Sequence, residues 1–265
     1  MTDVVLVDHT DRTATITLNR PASRNALSTE LLREMRRAVR EAEASDGVDV
    51  IILTGADPAF CAGLDLKELG AGGTALGEGG AAGNADPAER GALPPTTKPV
   101  IGAINGAAIT GGFEIALNCD LLIASERARF ADTHARVGLQ PGWGLSVLLP
   151  QAIGVRRARE MSATGNFIDA TQALAWGLVN HVVLHENLLG FARGIAADIA
   201  SNDQPAVRRL LRTYAEGADL SGSDAWALEN RVAGEWQGGS FDRDEIERRR
   251  QAVVDRGRAQ VGPSA

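Results

Sequence analysis

The chain has 265 residues, 44% of them hydrophobic, and its 27 Lys and Arg against 34 Asp and Glu leave a formal charge of −7. That length suits one large domain, or one domain with a smaller appendage, and the acidic balance argues against nucleic acid as a partner. Two cysteines, Cys61 and Cys119, make no disulfide framework, which points to a reducing compartment. Met1-Thr2-Asp3 opens no basic-then-apolar leader, and no apolar run approaches the roughly 20 residues of a membrane span. The expectation is a soluble, cytoplasmic protein.

In chain order, Val5 and Val7, then Ala14, Ile16 and Leu18, alternate as an antiparallel pair. Leu31, Met35, Ala38 and Ala42 then mark one face of a helix, with Ser28 or Thr29 as its cap and Gly47 as its stop. Val48 to Leu53 reads as a strand covered on both faces. From Gly70 to Gly91 the composition shifts to Gly and Ala, a lid or an insertion. Order resumes with a strand at Val100–Ile104, a Gly pair at 111–112, a short helix at Phe113–Asn118 and a buried strand at Asp120–Ala124. Strands alternating with helices predict an α/β core with crossover connections. Beyond Pro150, helices are expected near 155–163, 170–176, 186–200 and 204–216, with one more at the C-terminus and a lone strand at Leu178–Val183.

Several familiar signatures fail. Gly77-Glu78-Gly79-Gly80 follows no strand and lacks the third glycine of a dinucleotide loop. Gly144-Leu145-Ser146 lacks the closing glycine of a nucleophile elbow. His181 and His185 have no third ligand nearby, so no metal site is expected. Arg248-Arg249-Arg250, set among acids, reads as a solvated helical face.

Two segments share one physical logic. Ala59-Phe60-Cys61-Ala62-Gly63-Leu64-Asp65-Leu66-Lys67-Glu68 and Asn105-Gly106-Ala107-Ala108-Ile109-Thr110-Gly111-Gly112-Phe113-Glu114 each follow a buried strand and turn into a helix. Small residues there admit close approach, and amides at a helix start are free to donate. Two such donors from neighbouring strand ends can stabilise negative charge on a single oxygen. The plainer alternative is two tight strand-to-helix turns.

Together with Asn25-Ala26-Leu27, Lys98-Pro99, Cys119-Asp120, Ala128-Arg129-Phe130-Ala131, Pro141-Gly142 and Ala173–Val179, these segments resemble the crotonase (enoyl-CoA hydratase/isomerase) superfamily from about residue 4 to about residue 200. The resemblance implies a crotonase-like ββα spiral core over 1–200 and a helical C-terminal region over 201–265 that packs homo-trimers or hexamers (dimers of trimers). It implies an acyl-CoA substrate, coenzyme A being part of that substrate, with no separate cofactor. It further implies an oxyanion hole from the amides of Leu64 and Gly111. Coenzyme A would then run along Ala22, Arg24, Ala62, Asp65, Leu66 and Lys67, with Arg24 and Lys67 either near its phosphates or facing solvent.

The hydratases of this family flank their water with two glutamates. Glu114, three residues after Gly111, matches the first; the second position is His134, where this sequence departs. A histidine can exchange a proton near neutral pH, or can simply hydrogen-bond Glu114, and Asp132 stands two residues away as a reserve acid. The resemblance implies an enoyl-CoA hydratase, a hydro-lyase with Glu114 and His134 as catalytic residues. Another crotonase reaction (isomerisation, hydrolysis, decarboxylation) and acyl-CoA binding without catalysis are the alternatives.

Overall fold

The computed structural model describes residues 3–70, 91–239 and 243–261. The alternating N-terminal residues form β1 (Val5–Thr10) and β2 (Thr13–Leu18), paired antiparallel. Asp11 and Arg12 turn between them at φ 47° and 60°, as a two-residue hairpin turn requires. α1 (Thr29–Ala44) buries Leu31, Met35, Ala38 and Ala42, and the Ser28 hydroxyl caps it by accepting from the Leu31 amide at 3.1 Å. It ends before Gly47, at Ser45, whose backbone is extended.

From there the chain repeats one device. β3 (Val50–Gly55) is followed by a short β4 (Ala59–Cys61) and α2 (Leu66–Gly70); β5 (Val100–Ile104) is followed by β6 (Ala107–Ile109) and α3 (Gly111–Leu117); β7 (Leu121–Ser125) is followed by β8 (Arg129–Ala131). Then come α4 (Leu145–Ile153), α5 (Val155–Thr164), β9 (Ile168–Asp169), α6 (Ala170–Trp176), β10 (His181–Val183), α7 (Leu188–Ala200), α8 (Gln204–Gly217), α9 (Gly222–Gly239) and α10 (Arg243–Val261).

The long strands join one sheet in the order β1-β2-β3-β5-β7-β10, and the short ones a second sheet, β4-β6-β8-β9. This is the ββα spiral: each turn adds one strand to each sheet. Within the first sheet every pairing after β1–β2 is parallel. Its inner strands β3, β5 and β7 are covered on both faces, while β1 at the edge is largely exposed. Val50, Ile52, Ile101 and Ala103 pack with Leu188, Ala192 and Ala196 of α7, while Ile51 and Leu53 join the core cluster that contains the α1 residues. Burying each such aliphatic side chain is worth about 1.5–3 kcal/mol, which is why these strands are apolar throughout rather than alternating.

Four expectations need correction. The Gly111–Gly112 pair does not precede the short helix; it forms that helix's first turn. The C-terminus carries two helices, α9 and α10, where one was expected. The strand expected at Leu178–Val183 is confined to His181–Val183. α4 and the entire second sheet were not foreseen, because Pro150 lies inside α4 and the second sheet's strands have only two or three residues. Apart from its two end residues, the Gly70–Gly91 segment lies outside the described residues.

Two compact units are present, Met1–Arg208 and Arg209–Ala265. In the second, Arg209 and Arg212 both bind Glu216, and Leu228 is buried while Leu210, Tyr214, Trp226 and Val253 are exposed. Among the described residues no helix is long and apolar enough to cross a membrane.

Candidate active site

The site begins with two turns in contact. After β4, Gly63 adopts φ 90°, and a Cβ on it would lie 2.8 Å from the Ile109 carbonyl oxygen, so only glycine fits. Leu64 then pairs with Leu27: the Leu27 amide donates to Gly63 O at 2.8 Å and the Asp65 amide to Leu27 O at 3.0 Å. Amides alternate in direction along extended backbone, so the Leu64 N–H faces away from Leu27. After β6, Gly111 opens α3, where first-turn amides lack helical acceptors. Gly112 beside it is pressed against β4, a Cβ there falling 2.2 Å from the Cys61 carbonyl oxygen.

These approaches bring the Gly111 nitrogen to 3.5 Å from where a Gly63 Cβ would stand. Among the described residues, neither the Leu64 nor the Gly111 amide donates to a backbone acceptor outside regular helix and strand bonding. The residue between the sheet and Gly111 is unusual. Thr110 sits at φ 52°, ψ −114°, a region that costs a β-branched residue on the order of 1–3 kcal/mol.

One helical turn on, Glu114 is 2% exposed. Its Oε1 accepts from the amides of Gly142 (3.1 Å) and Trp143 (2.7 Å). Asn118 ties that loop down by donating to Trp143 O at 2.9 Å and to Glu114 O at 2.7 Å. Oε2 faces His134 Nε2 at 3.5 Å. The other ring nitrogen, Nδ1, donates to Asp132 Oδ1 at 2.7 Å, and the same oxygen accepts from the His134 amide at 3.1 Å.

Asp132 and His134 therefore meet across a turn, and not along an extended strand: His134 starts a single 3-10 turn. Burial acts to lower the His134 pKa, but the hydrogen bonds and charges of Asp132 and Glu114 outweigh it and hold the ring at about 9. Burial likewise acts to raise Asp132, and the bonds from His134 and Ser162 outweigh it, leaving its carboxyl below the ordinary range. Asp132 and Glu114 thus favour the protonated form of the His134 ring at neutral pH.

Around this centre, Trp143 is buried against the Gly111 turn, its Cζ3 lying 3.2 Å from where a Gly111 Cβ would stand. Its indole Nε1 has no acceptor among the described residues. Burial pushes the Cys61 thiol up to about 12 and raises Cys119 as well, so neither supplies a nucleophile near pH 7. Among the described residues no three His, Cys, Asp or Glu side chains group to hold a metal ion. His185 instead bridges Ser125 (3.1 Å) and Asp57 (3.0 Å), and His181 packs against the Phe191 ring.

The profile of the "Enoyl-CoA hydratase/isomerase" family matches residues 9–259. This chain belongs to the enoyl-CoA hydratase/isomerase family. It is 38% identical over 245 residues to a probable peroxisomal enoyl-CoA hydratase of Arabidopsis thaliana, covering 92% of this chain and 90% of that one. It is 36% identical over 233 residues to a short-chain-enoyl-CoA hydratase of Clostridium acetobutylicum, covering 87% and 88%. Among solved structures, an enoyl-CoA hydratase from Bacillus anthracis superposes with a TM-score of 0.84 at 34% identity over 96% of each chain. Another, from Mycobacterium smegmatis, superposes with a TM-score of 0.73 at 53% identity over 90% of this chain and 100% of that one.

The remaining residues expected from the family resemblance gather at a cleft of about 520 Å³ on the first turn's outer side, lined by Ala22, Asp65, Leu66 and Lys67. Arg24 and Ala62 are not among its lining residues; the Ala62 amide donates to Arg24 O at 3.0 Å. A second cation, Arg20, lines it beside Lys67 and was missed by sequence reasoning; its guanidinium binds Asp65 at 3.0 Å. Burial acts to raise Asp65, and the Arg20 bond with the Glu68 and Lys67 amides outweighs it, leaving the carboxyl low. Asn118, Trp143 and the Thr110 hydroxyl were missed too. Arg20 had one readable signal, a cation directly before the Pro21 turn.

Proposed function

We propose that this protein is an enoyl-CoA hydratase that adds water, in syn fashion, across the C2–C3 double bond of a 2-enoyl-CoA thioester. The carrying observation is the buried Glu114, fixed by two amides and faced by His134, one turn from the Gly111 amide. The thioester carbonyl accepts from the Leu64 and Gly111 amides, which draws electron density from C3. Glu114 takes a proton from water as the hydroxyl bonds to C3. Charge then rests on the carbonyl oxygen as an enolate, where the two amides stabilise it. The protonated Glu114 returns the proton to C2, so one water is consumed and the site is restored. His134 holds Glu114 Oε2 throughout, as a catalytic partner that keeps the second oxygen oriented.

In this reading Ala22, Arg24, Ala62, Asp65, Leu66 and Lys67 belong to the coenzyme A path, with Arg20 as a further cation at the cleft. No cofactor beyond the substrate's own coenzyme A is called for. We further propose a core over 1–200 and a helical region over 201–265 that packs copies into a trimer or a dimer of trimers. Leu210 and Tyr214, both exposed and four apart on one face of α8, support that, since an apolar helix face marks a contact surface; light scattering after gel filtration tests it. The two unpaired cysteines support a reducing compartment, and cytoplasm is the proposed one, tested by cell fractionation. For the activity, crotonyl-CoA is the first substrate: its conjugated absorbance should fall on addition of the protein and persist with Glu114→Gln. Products identified as isomer, free acid or decarboxylated thioester would replace hydration by that reaction. Tight acyl-CoA binding with no turnover would leave only a binding protein.

A further inference from the structure

The strained residue ahead of Gly111 has a partner on the acid–base segment. The Thr110 and Thr133 hydroxyls share a hydrogen bond, the Thr110 amide donates to Ala131 O at 2.9 Å, and its carbonyl accepts from the Glu114 amide at 2.9 Å. The ψ angle of Thr110 sets the plane of the peptide that carries the Gly111 N–H, so any relaxation of Thr110 swings that donor. Glycine holds a positive φ without help; a threonine needs surroundings that over-determine it.

We propose that the Thr110–Thr133 hydroxyl pair is a positioning device that fixes the direction of the Gly111 amide and ties it to the acid–base segment. Thr133 lies between Asp132, which orients the imidazole, and His134, which carries it. A single tripeptide thus sets both the proton-transfer partner and the carbonyl-polarising donor. The two threonines act through Gly111 and touch no reacting atom.

This inference rests on the reading that Leu64 and Gly111 receive a thioester carbonyl, so its test includes a readout independent of hydration. The probe is 4-(dimethylamino)cinnamoyl-CoA, whose absorbance moves to longer wavelength when its carbonyl is polarised. With Thr133→Val, the red shift of the bound probe should shrink while its affinity stays within about twofold, and kcat on crotonyl-CoA should fall about 10–100-fold with little change in KM. Thr133→Ser should restore both. Thr110→Gly placed in the Thr133→Val background should also restore both, because glycine needs no clamp; a merely structural role predicts no such rescue. An unchanged red shift and kcat in Thr133→Val overturns the proposal, as does a wild type that hydrates crotonyl-CoA without shifting the probe. A wild type that shifts the probe yet hydrates nothing refutes the hydratase reading and leaves the clamp standing, provided Thr133→Val abolishes the shift.

Discussion

The two turns that meet at the site are built to different standards. The first, from Gly63 into α2, is held by a backbone pairing with Leu27, by the exposed Glu68–Thr29 bonds and by the partly exposed Arg20–Asp65 ion pair, and Leu66 beyond it is 56% exposed. The second, from Thr110 into α3, is wholly buried and cross-braced, with Glu114, Asp132 and His134 each no more than 5% exposed. A wall that admits and releases a long, charged carrier benefits from give. A wall that aligns a proton acceptor with a polarising amide does not. Side-chain changes on the second wall should therefore cost far more than side-chain changes on the first, whose own part in the proposed chemistry is the Leu64 main-chain amide.

The largest effect should come from Glu114→Gln, which keeps the shape of the carboxylate and loses its basicity. Hydration should fall about 10²–10⁴-fold with coenzyme A ester affinity retained in calorimetry. Next, Gly112→Ala drives a Cβ into the Cys61 carbonyl; denaturant titration should show a loss of about 1–3 kcal/mol or more, and activity should go with it. Asp132→Asn follows. The folded-state His134 pKa is raised to about 9, so its contribution to stability is complete below the unfolded value of about 6.5 and is lost as pH rises through about 9. Wild-type melting temperature should decline across that window and kcat should fall on its alkaline side, while Asp132→Asn should move both changes to lower pH. On the first wall, Arg20→Ala should raise KM for coenzyme A esters with kcat unchanged, and exposed pairs of this kind carry only about 0–1 kcal/mol of stability. The smallest change in activity is expected from Ser28→Ala, which removes the α1 cap beside Leu27; denaturant titration should show a loss of about 1 kcal/mol while kcat and KM stay put. A first-wall variant that matched Glu114→Gln in kcat would erase the distinction between the walls.

How far the sequence reached follows the same physics. The β3, β5 and β7 strands were readable because two-sided burial makes them apolar without interruption, and α1 because one buried face repeats at helical spacing. The second sheet was not, since strands of two or three residues show no period at all. α4 was hidden by Pro150, although its Gly144 start and apolar Leu145–Leu149 run were visible in hindsight. At the site, Glu114 and His134 were singled out by motif position, and the structure adds what position cannot: Asp132 meets the imidazole through a turn. Arg20, Asn118 and Thr133 act through contacts between segments far apart in sequence, so no local pattern marks them.

The buried Trp143 also turns the second wall into an optical gauge. Of four tryptophans, it is the one packed on the Gly111 turn at 1% exposure, while Trp226 is 68% exposed. An aqueous quencher should silence the outer indole long before the inner one. With the half-buried Trp176 and Trp236 replaced by phenylalanine, the residual short-wavelength emission reports, without any label, on the surroundings of the Gly111 amide.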